Sequence, residues 1–535
     1  MEPNQSIAQP DWTKFALSSS DLDFIYNYLL EKETPASTRE IAEAIIGERI
    51  RVQRNDLIKS IAKIGKIYRP ADSYQLGDQV TFPKLANLVG TVIELRKGKN
   101  PDLPEFNVVK FRFADNREIE FAAGVETYAL NQLDPLSAIY PDFMSLSDTL
   151  KQYGKPILKS IRRDLSRSEE LFGISDYWFP TALLAEVNPG FLNLAEAAME
   201  MENGVPVPTA KVLEMIEYPS DSNAALTEFS FNYALKQDDR FDEVGSLGKI
   251  LWTLNSLEPE DVRKVPLTLR HHPSAYSTNH EEIELDPTEY LIHDELDEGS
   301  LEQPYASPDH FDFCISYPHW KAGTLPLLGA TLDIFPSSTE TNHYVFNFVD
   351  ESTGDTFMGW VIRDENYVCG LKPWYRANKI IPGSVIRIHP GETHDQVILS
   401  KIPPRSSKDW IRTAQFDAKG HLSFETRQQH VSTFFDERLA IYVENTPQLD
   451  ILWENHNRQD IQFQRLIRQT FREITRENPQ GIIHFSELYA GLNMMHRCAP
   501  KELLAALFED ENIIPLSNLS FKLDSGDGAE EGGNG

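Results

Sequence analysis

Residues 18–46 read SSSDLDFIYNYLLEKETPASTREIAEAII, and this stretch predicts two helices separated by a short turn. Ser20 with Asp23, and Ser37 with Glu40, have the spacing of capping boxes, in which a hydroxyl accepts a hydrogen bond from a free backbone amide at a helix start. The acid of each pair also faces the positive end of the helix dipole. Apolar residues recur every three or four positions after each start, as on the buried face of a helix. We therefore expect a small helical domain here.

The segment that follows is strongly basic, and we expect it to form a third helix over 50–64. Between positions 49 and 69 there are seven basic side chains and one acid, Asp56, a local charge of +6. Because salt screens charges beyond about 10 Å, phosphate responds to this local field and not to the charge of the whole chain. The segment predicts a DNA-binding face, and the alternative is a solvated basic face. The candidate contacts are Arg49, Arg51, Arg54, Lys59 and Lys63.

With its opening helix, its proline-containing turn and the second helix beginning TREIAEAII, the N-terminal segment resembles the HARE-HTH type of winged helix. That family includes the N-terminal domain of the bacterial RNA polymerase delta subunit and modules fused to chromatin and restriction proteins. The resemblance covers about 55 residues, which we assign to a domain over 15–70. It implies a non-enzymatic module in transcription or DNA transactions.

The pattern changes to alternating apolar and polar residues over 74–130, with short strands separated by glycine, proline and asparagine turns. The fragments GDQV, GTV and VVKFRF resemble an SH3-like barrel of the kind found in KOW and Tudor domains. The resemblance implies binding of peptides, RNA or polymerase. Loop tips often carry function, and one predicted hairpin tip is basic, although a bland turn is the alternative. The candidate contacts there are Arg96, Lys97 and Lys99.

A mainly helical acidic domain is predicted over 145–280, and it carries one basic stripe. Lys151, Lys155, Lys159 and Arg162 recur every three or four residues, which places them on one helix face. Ten acids and no lysine or arginine then follow within 281–302, so we interpret 281–308 as a flexible solvated linker. The alternative is an acidic strand that docks on a basic surface, within the chain or as a nucleic-acid mimic.

A second small β-barrel is predicted over 311–403, with a short helix near residue 374. The order of a tryptophan-containing strand, this helix and the strand IIPGSVIRI resembles the DNA-binding pseudobarrels of plant B3-type factors and restriction-enzyme effector domains. The contacts implied by that resemblance are Arg363, Trp374, Tyr375 and Arg387.

After a connecting segment over 408–456, residues 460–523 predict a second winged helix that ends in a β wing. Its first helix carries four arginines at intervals of three, four and four residues, which form a continuous positive rail. Phosphate or acidic protein would suit the rail, and ion pairs with nearby carboxylates are the alternative. The rail consists of Arg465, Arg468, Arg472 and Arg476. The acidic, glycine-rich tail over 524–535 predicts disorder.

Composition limits the function further. The 535 residues predict three or four domains, and a net charge of −31 opposes nucleic-acid binding over the whole surface. Cys314, Cys369 and Cys498 are too scattered for a disulfide framework or a structural zinc site. No phosphate loop, HExxH or GxSxG motif occurs, so we predict no catalytic residues, no metal and no cofactor. We expect no membrane span and no export signal, and therefore a cytoplasmic protein.

Together these patterns predict a multidomain α+β protein with winged helix-turn-helix domains at both ends, an SH3-like barrel, a mainly helical middle and a second small barrel. The leading hypothesis is a non-enzymatic protein associated with nucleic acid or with the transcription machinery. The expected partners are DNA or the enzyme RNA polymerase, together with other proteins, and no small-molecule substrate is evident. The alternatives are a protein-interaction scaffold, or the specificity subunit of a DNA-modification or defence system.

Overall fold

The structure is a computed structural model with a mixed α+β fold. Its described residues are 12–64, 66–82, 85, 88–99, 105–126, 131, 144–219, 223–246, 248–274, 276, 292–297, 309–338, 340–416, 420–458 and 462–524, with backbone only for 57–64 and 456–458. These residues contain thirteen α-helices and six sheets. The chain divides into two compact units. Unit 1 is Met1–Glu186 with Ser220–Tyr233, and unit 2 is Val187–Pro219 with Ala234–Gly535.

Unit 1 contains a three-stranded sheet in the order β1-β8-β7 and a five-stranded sheet in the order β2-β3-β4-β5-β6. Its elements are α1 (Ser19–Lys32), β1 (Ala36–Ser37), α2 (Thr38–Ile64), β2 (Lys66–Ile67), β3 (Gln79–Phe82), β4 (Leu88–Lys97), β5 (Asn107–Phe113), β6 (Glu118–Ala123), α3 (Leu146–Leu165), β7 (Leu171–Ile174) and β8 (Tyr177–Pro180). The five-stranded sheet is therefore an insertion between α2 and α3. The N-terminal segment completes its own sheet with strands that lie beyond residue 170, so the predicted domain 15–70 is not self-contained.

The helix starts of unit 1 match the predicted capping boxes in one case and differ in the other. At α2 the Ser37 amide donates to Glu40 Oε2 at 2.8 Å, and the Glu40 amide donates to Ser37 Oγ at 3.2 Å. At α1 the cap is Ser18 with Asp21, two residues before the predicted pair. Because α1 begins at Ser19, Asp21 lies in its first turn, where Arg49 also donates to the Asp21 carboxylate.

One helix, α2, occupies the region where two helices were predicted. The 27 residues Thr38–Ile64 are continuous. A glycine in a helix costs about 1 kcal/mol relative to alanine but does not remove a backbone donor, as proline does. Gly47 therefore does not end α2, and the expected break before residue 50 does not occur.

The five-stranded sheet over 66–123 encloses an aromatic core, in the region where the second domain was expected. Phe82 and Phe111 pack edge to face with their ring centroids 4.8 Å apart, and Tyr68 stacks on Phe82 at the same distance. Gly90 on β4 lies under these rings. A Cβ there would approach Phe111 to 3.1 Å, so the close packing needs the glycine. The strands pair antiparallel except β2 with β3, which are parallel.

Unit 2 carries most of the remaining elements. In chain order these are α4 (Pro189–Met201), β9 (Val207–Pro208), α5 (Thr209–Met215), β10 (Phe241–Glu243), β11 (Leu251–Leu254), α7 (Glu260–Arg263), β12 (Phe311–Cys314), α8 (Tyr317–Ala322), β13 (Thr324–Pro326), β14 (His343–Asp350), β15 (Thr356–Ile362), β16 (Tyr367–Cys369), α9 (Lys372–Ala377), β17 (Val385–Pro390), β18 (Gln396–Lys401), β19 (Lys408–Phe416), β20 (Leu422–His430), β21 (Ile441–Val443), α10 (Thr446–Arg458), α11 (Phe463–Thr475), β22 (Ile482–His484), α12 (Phe485–Leu492), α13 (Pro500–Glu509), β23 (Ile513–Pro515) and β24 (Ser520–Leu523). Between α5 and β10 lies α6 (Ala224–Lys236), most of which belongs to unit 1.

Strands β12 to β18 form a nearly closed, barrel-like sheet in the order β12-β17-β18-β14-β15-β16-β13. All pairs are antiparallel except β14 with β18. Every strand contributes at least one side chain to a single buried core, for example Phe313 from β12, Leu325 from β13 and Val361 from β15. A flat sheet could not bring residues of both edge strands into one core. The barrel predicted over 311–403 is thus present as a barrel-like sheet.

One order of elements occurs three times in the chain: helix, strand, helix, helix, strand, strand. The first repeat consists of α1, β1, α2, α3, β7 and β8, the second of α4, β9, α5, α6, β10 and β11, and the third of α11, β22, α12, α13, β23 and β24. In each repeat the last strand lies between the other two. The closing hairpin of the third repeat lies where the C-terminal wing was expected.

Three predicted segments differ from the structure. The region 145–280 is mainly helical but also contributes five strands to two sheets; at two to four residues these strands are too short to show alternation. The region 408–456 is not merely a connection, because β19, β20 and β21 form a sheet there. Within the predicted linker, the described residues 292–297 are packed, with Asp294 and Glu295 buried. Among the helices that the structure describes, none combines the length and the apolar character needed to cross a bilayer.

Candidate nucleic-acid interface

Helix α3 is amphipathic, is anchored by its buried face, and carries a row of lysines. It begins after Ser145, whose hydroxyl accepts from the Asp148 amide at 3.1 Å. One face, including Ile157, Ile161 and Leu165, is buried, and α3 packs there against α2. Helical period puts positions four apart on the same face. The exposed lysines that follow this spacing are Lys151, Lys155 and Lys159.

These three lysines have no ion-pair partner among the residues that the structure describes. Exposed carboxylates within about 4 Å would have neutralised them and would compete with phosphate. Arg162, the fourth member of the predicted stripe, is different because its guanidinium binds both oxygens of Asp176 at 2.6 and 3.1 Å. The stripe therefore contains three available cations followed by one that is held by the β7–β8 hairpin.

The contact of Arg162 fixes the hairpin relative to α3. Asp176 lies at the hairpin tip in the left-handed region, with φ at 69°. Its Oδ1 also accepts from the Thr38 hydroxyl at 2.5 Å, and that hydroxyl accepts from the Trp178 indole at 2.9 Å. Arg162 therefore positions the hairpin and is not an available phosphate contact.

The basic cluster over 49–69 is largely paired. Arg49 binds Asp21 at 2.5 Å and lies over the Phe15 ring, so it holds the start of α1. Burial raises the pKa of Asp21, but the hydrogen bonds from Arg49 and Ser18 outweigh this effect and lower it. Arg51 pairs with Glu48 at 2.7 Å. Arg54 is exposed but engaged; the side chains of Lys59 and Lys63 lie outside the described residues.

The predicted arginine rail on α11 alternates between paired and unpaired residues. Arg468 binds Asp510 through two hydrogen bonds of 2.6 and 2.8 Å, and Arg476 lies 3.6 Å from Glu473. Arg465 and Arg472 are exposed and make no ion pair within the described ranges. The rail is thus two separated cations, and the alternative of ion pairing applies to the other two.

The predicted barrel contacts divide in the same way. Arg96 pairs with Glu120 and Arg387 binds both oxygens of Asp312, whereas Lys97 and Lys99 are exposed. Arg363 donates to the Ser338 carbonyl and lies over the Tyr344 ring. Trp374 and Tyr375 are core residues. Their polar atoms donate to Asp350 at 2.6 Å and to the Thr324 carbonyl at 2.8 Å, so neither ring is presented to a ligand at the surface.

One group of potential ligand residues was missed in the sequence. Asp242, Glu258 and His343 come together in unit 2. They are separated by up to 101 residues and carry no recognisable spacing, so no signal in the sequence joins them.

Comparison of the whole chain with protein-family models, with curated proteins and with solved structures finds no match.

Proposed function

We propose that this chain is a non-enzymatic, nucleic-acid-associated binding protein that contacts the phosphates of duplex DNA through Lys151, Lys155 and Lys159. The observation that carries the proposal is the row of exposed lysines on α3 without carboxylate partners. Three lysines at one-turn intervals span about 12 Å, which is sufficient to reach several phosphates along one strand.

The order of elements supports this interpretation. Helix, strand, helix, helix and a β-hairpin, with the last strand in the centre, is the arrangement of a winged helix-turn-helix, and its third helix is the one that enters the DNA major groove in this class. In the first repeat the third helix is α3. The HARE-HTH resemblance of residues 18–46 suggests the same class for the same repeat.

The other two repeats are less suited to DNA. The third helix of the second repeat, α6, has a single basic residue, Lys236, and two neighbouring acids follow it in the chain. In the third repeat α13 is mostly buried, and Lys501 pairs with Asp297 at 2.9 Å. We therefore assign the DNA contact to the first repeat alone. The strong negative charge elsewhere suppresses unspecific binding by repulsion.

The test is a salt series of duplex binding. Each neutralised phosphate contributes about 0.9 to the slope of log affinity against log salt, so K151A/K155A/K159A is expected to reduce the slope by about 2.7. The matched control is K379A/K401A/K408A in unit 2, which removes the same charge from exposed lysines that have no ion pair in the described part of the chain. The control should change the slope by less than about 0.5.

Two results would overturn the proposal. One is an absence of duplex binding by the wild-type chain at about 50 mM salt. The other is a salt slope that falls equally in the test and control triple variants, because binding would then follow net charge and not α3.

A second candidate function, a protein-interaction scaffold, is favoured by exposed apolar side chains of unit 2. Leu194 and Met201 lie seven residues apart on α4 and are 50% and 76% exposed, and Val205 follows at 53%. Clustered exposed apolar residues often mark protein interfaces. Immobilised bacterial RNA polymerase core enzyme is the probe suggested by the delta-subunit resemblance. Binding that is lost in L194D/M201D supports this function, and a lack of binding by wild type rejects this partner.

A further inference from the structure

Asp242, Glu258 and His343 form a compact cluster of ligand atoms in unit 2. One ligand atom from each residue lies within 4.8 Å of the others. His343 Nε2 is hydrogen-bonded to Asp242 Oδ2 and is 3.5 Å from Glu258 Oε1. Among the residues described, no lysine or arginine forms an ion pair with either carboxylate.

The backbone explains why three distant residues meet. Asp242 lies at the centre of β10, opposite Thr253 of β11. The chain turns after β11, and this turn delivers Glu258. His343 is the first residue of β14, and the segment after β10 is tied to that strand by a hydrogen bond of 2.9 Å from the Val345 amide to the Val244 carbonyl. The cluster therefore joins the sheet of the second repeat to the barrel-like sheet.

Glu258 is the observation that points to a ligand. Its side chain is only 5% exposed, and its Oε1, which is directed at His343, has no hydrogen-bond donor within the described part of the molecule. A buried carboxylate oxygen without a donor is costly, and an incoming cation would satisfy it. Trp360 of the apolar layer behind the cluster lies 6.4 Å from the His343 ring, which limits water on that side.

We propose that Asp242, Glu258 and His343 bind one divalent transition-metal ion of the zinc type. Imidazole nitrogen with carboxylate oxygen is a donor set that zinc accepts, whereas calcium and magnesium select oxygen ligands alone. Ligand bonds of about 2.1 Å at tetrahedral angles separate donor atoms by about 3.4 Å. The 3.5 Å between His343 and Glu258 already matches this separation.

The site leaves room for a fourth ligand. The side chains of His343 and Asp242 are 31% and 19% exposed, so one side of the cluster faces solvent. Three protein ligands with an open position characterise zinc sites that hold a water molecule. The ion would also cross-link the two sheets, because its ligands come from both. The alternative is an ion triad in which a protonated imidazole alone balances the two carboxylates.

The test uses the untagged full chain after dialysis against a chelator. Cobalt(II) serves as the spectroscopic probe and zinc as the calorimetric titrant. We expect one equivalent of cobalt to give visible absorption of a four- or five-coordinate site, and zinc to displace it. H343Q and D242N are expected to lower zinc affinity by ~100-fold or more, since even outer-shell changes cost about 10–100-fold.

Two histidine variants serve as controls. H389Q changes a half-buried histidine that is hydrogen-bonded to the backbone carbonyl of Pro390, and H271Q changes one that contacts the carboxylate of Glu502 at 2.9 Å. Both should retain the affinity of wild type. Equal loss in H271Q and H343Q would overturn the assignment, as would an absence of stoichiometric binding by wild type.

X-ray absorption of the zinc-loaded wild-type chain keeps the proposal falsifiable if a variant fails to fold. One imidazole with oxygen ligands is expected. Sulfur ligands, or two or more imidazoles, would overturn the site. These measurements do not involve DNA, so their outcome is independent of the function proposed for α3.

Discussion

The buried charge network around Arg497 yields a quantitative stability prediction. Arg497 is fully buried, and its guanidinium donates to both oxygens of Asp294 at 2.7 and 2.6 Å and to Glu295 at 2.9 Å. Glu295 also contacts His319 at 2.7 Å, and the side chains of Asp294 and Glu295 are 1% and 5% exposed. Replacing Arg497 by methionine keeps most of the packing volume but removes the charge that both acids face.

The expected loss is large because solvent cannot screen these groups. Breaking a buried ion pair by removing one partner costs about 3–5 kcal/mol, since an uncompensated charge stays buried. Asp294 loses both of its charged hydrogen bonds, whereas Glu295 keeps His319, so we expect about 4 kcal/mol for R497M. The matched control is Arg405, which lies 3.7 Å from Glu437 with both side chains more than 70% exposed. R405M should cost less than about 0.5 kcal/mol.

Urea unfolding followed by tryptophan fluorescence measures this difference in unit 2. Trp453 is a suitable reporter because its indole donates to the Met494 carbonyl at 2.9 Å in the same core as α12 and α13. Adding D294N and E295Q to R497M should recover part of the loss, because neutral groups replace the uncompensated charges. A free energy of unfolding of R497M within about 1 kcal/mol of wild type would show that Arg497 is not needed to balance the two buried acids.

Three further results are expected. Burial raises the pKa of Glu502, but hydrogen bonds from His271 and Ser274 outweigh it and lower the pKa to about 2. Because the pKa of folded Glu502 lies below the unfolded value of about 4.3, this stabilisation is complete above pH 4.3 and is lost as the pH falls towards 2. In E502Q the urea midpoint of unfolding should therefore change less with pH between about 4.3 and 2. The hydrogen bond with Asp242, together with the nearby negative charge of Glu258, raises the pKa of His343 to about 10. In chelated protein its NMR signals should therefore remain those of imidazolium at pH 8, and titration near 6.5 would contradict this. The stabilisation is complete below about pH 6.5 and is lost as the pH rises towards 10. W374F removes the buried indole donor to Asp350 and should destabilise unit 2 by about 1–3 kcal/mol while duplex affinity is unchanged; loss of DNA binding in a folded W374F would restore this residue as a contact.

Local features of the chain were predictable where short-range physics decides them. The capping pair Ser37 with Glu40 is confirmed because both partners lie within one helical turn. The alternation in 343–362 indicated paired strands, and β14 and β15 pair along that stretch. The cap of α1 moved from Ser20 to Ser18 because adjacent serines offer equivalent local caps, and Asp21 is additionally held by Arg49.

The spacing of basic residues did not predict which of them are free of carboxylate partners and open to a ligand. Lys159 and Arg162 belong to the same predicted stripe, yet only Arg162 meets a carboxylate, on a hairpin that follows in the chain. Likewise the pseudobarrel resemblance implied Trp374 as a surface contact, but its side chain is buried and Asp350 accepts its N–H. In both cases the deciding neighbour comes from another element.

The helical and strand periodicities, one of the two predicted helix caps, the barrel region and the strongly negative total charge could be read from the amino-acid order alone, because each depends on composition or on neighbours within a few positions. The folded chain was needed to show that β1 pairs with β8, that Asp294 is buried against Arg497, and that Asp242, Glu258 and His343 converge. Electrostatic interactions and hydrogen bonds depend on distance in space, and the folded backbone sets that distance for residues that are far apart in the chain.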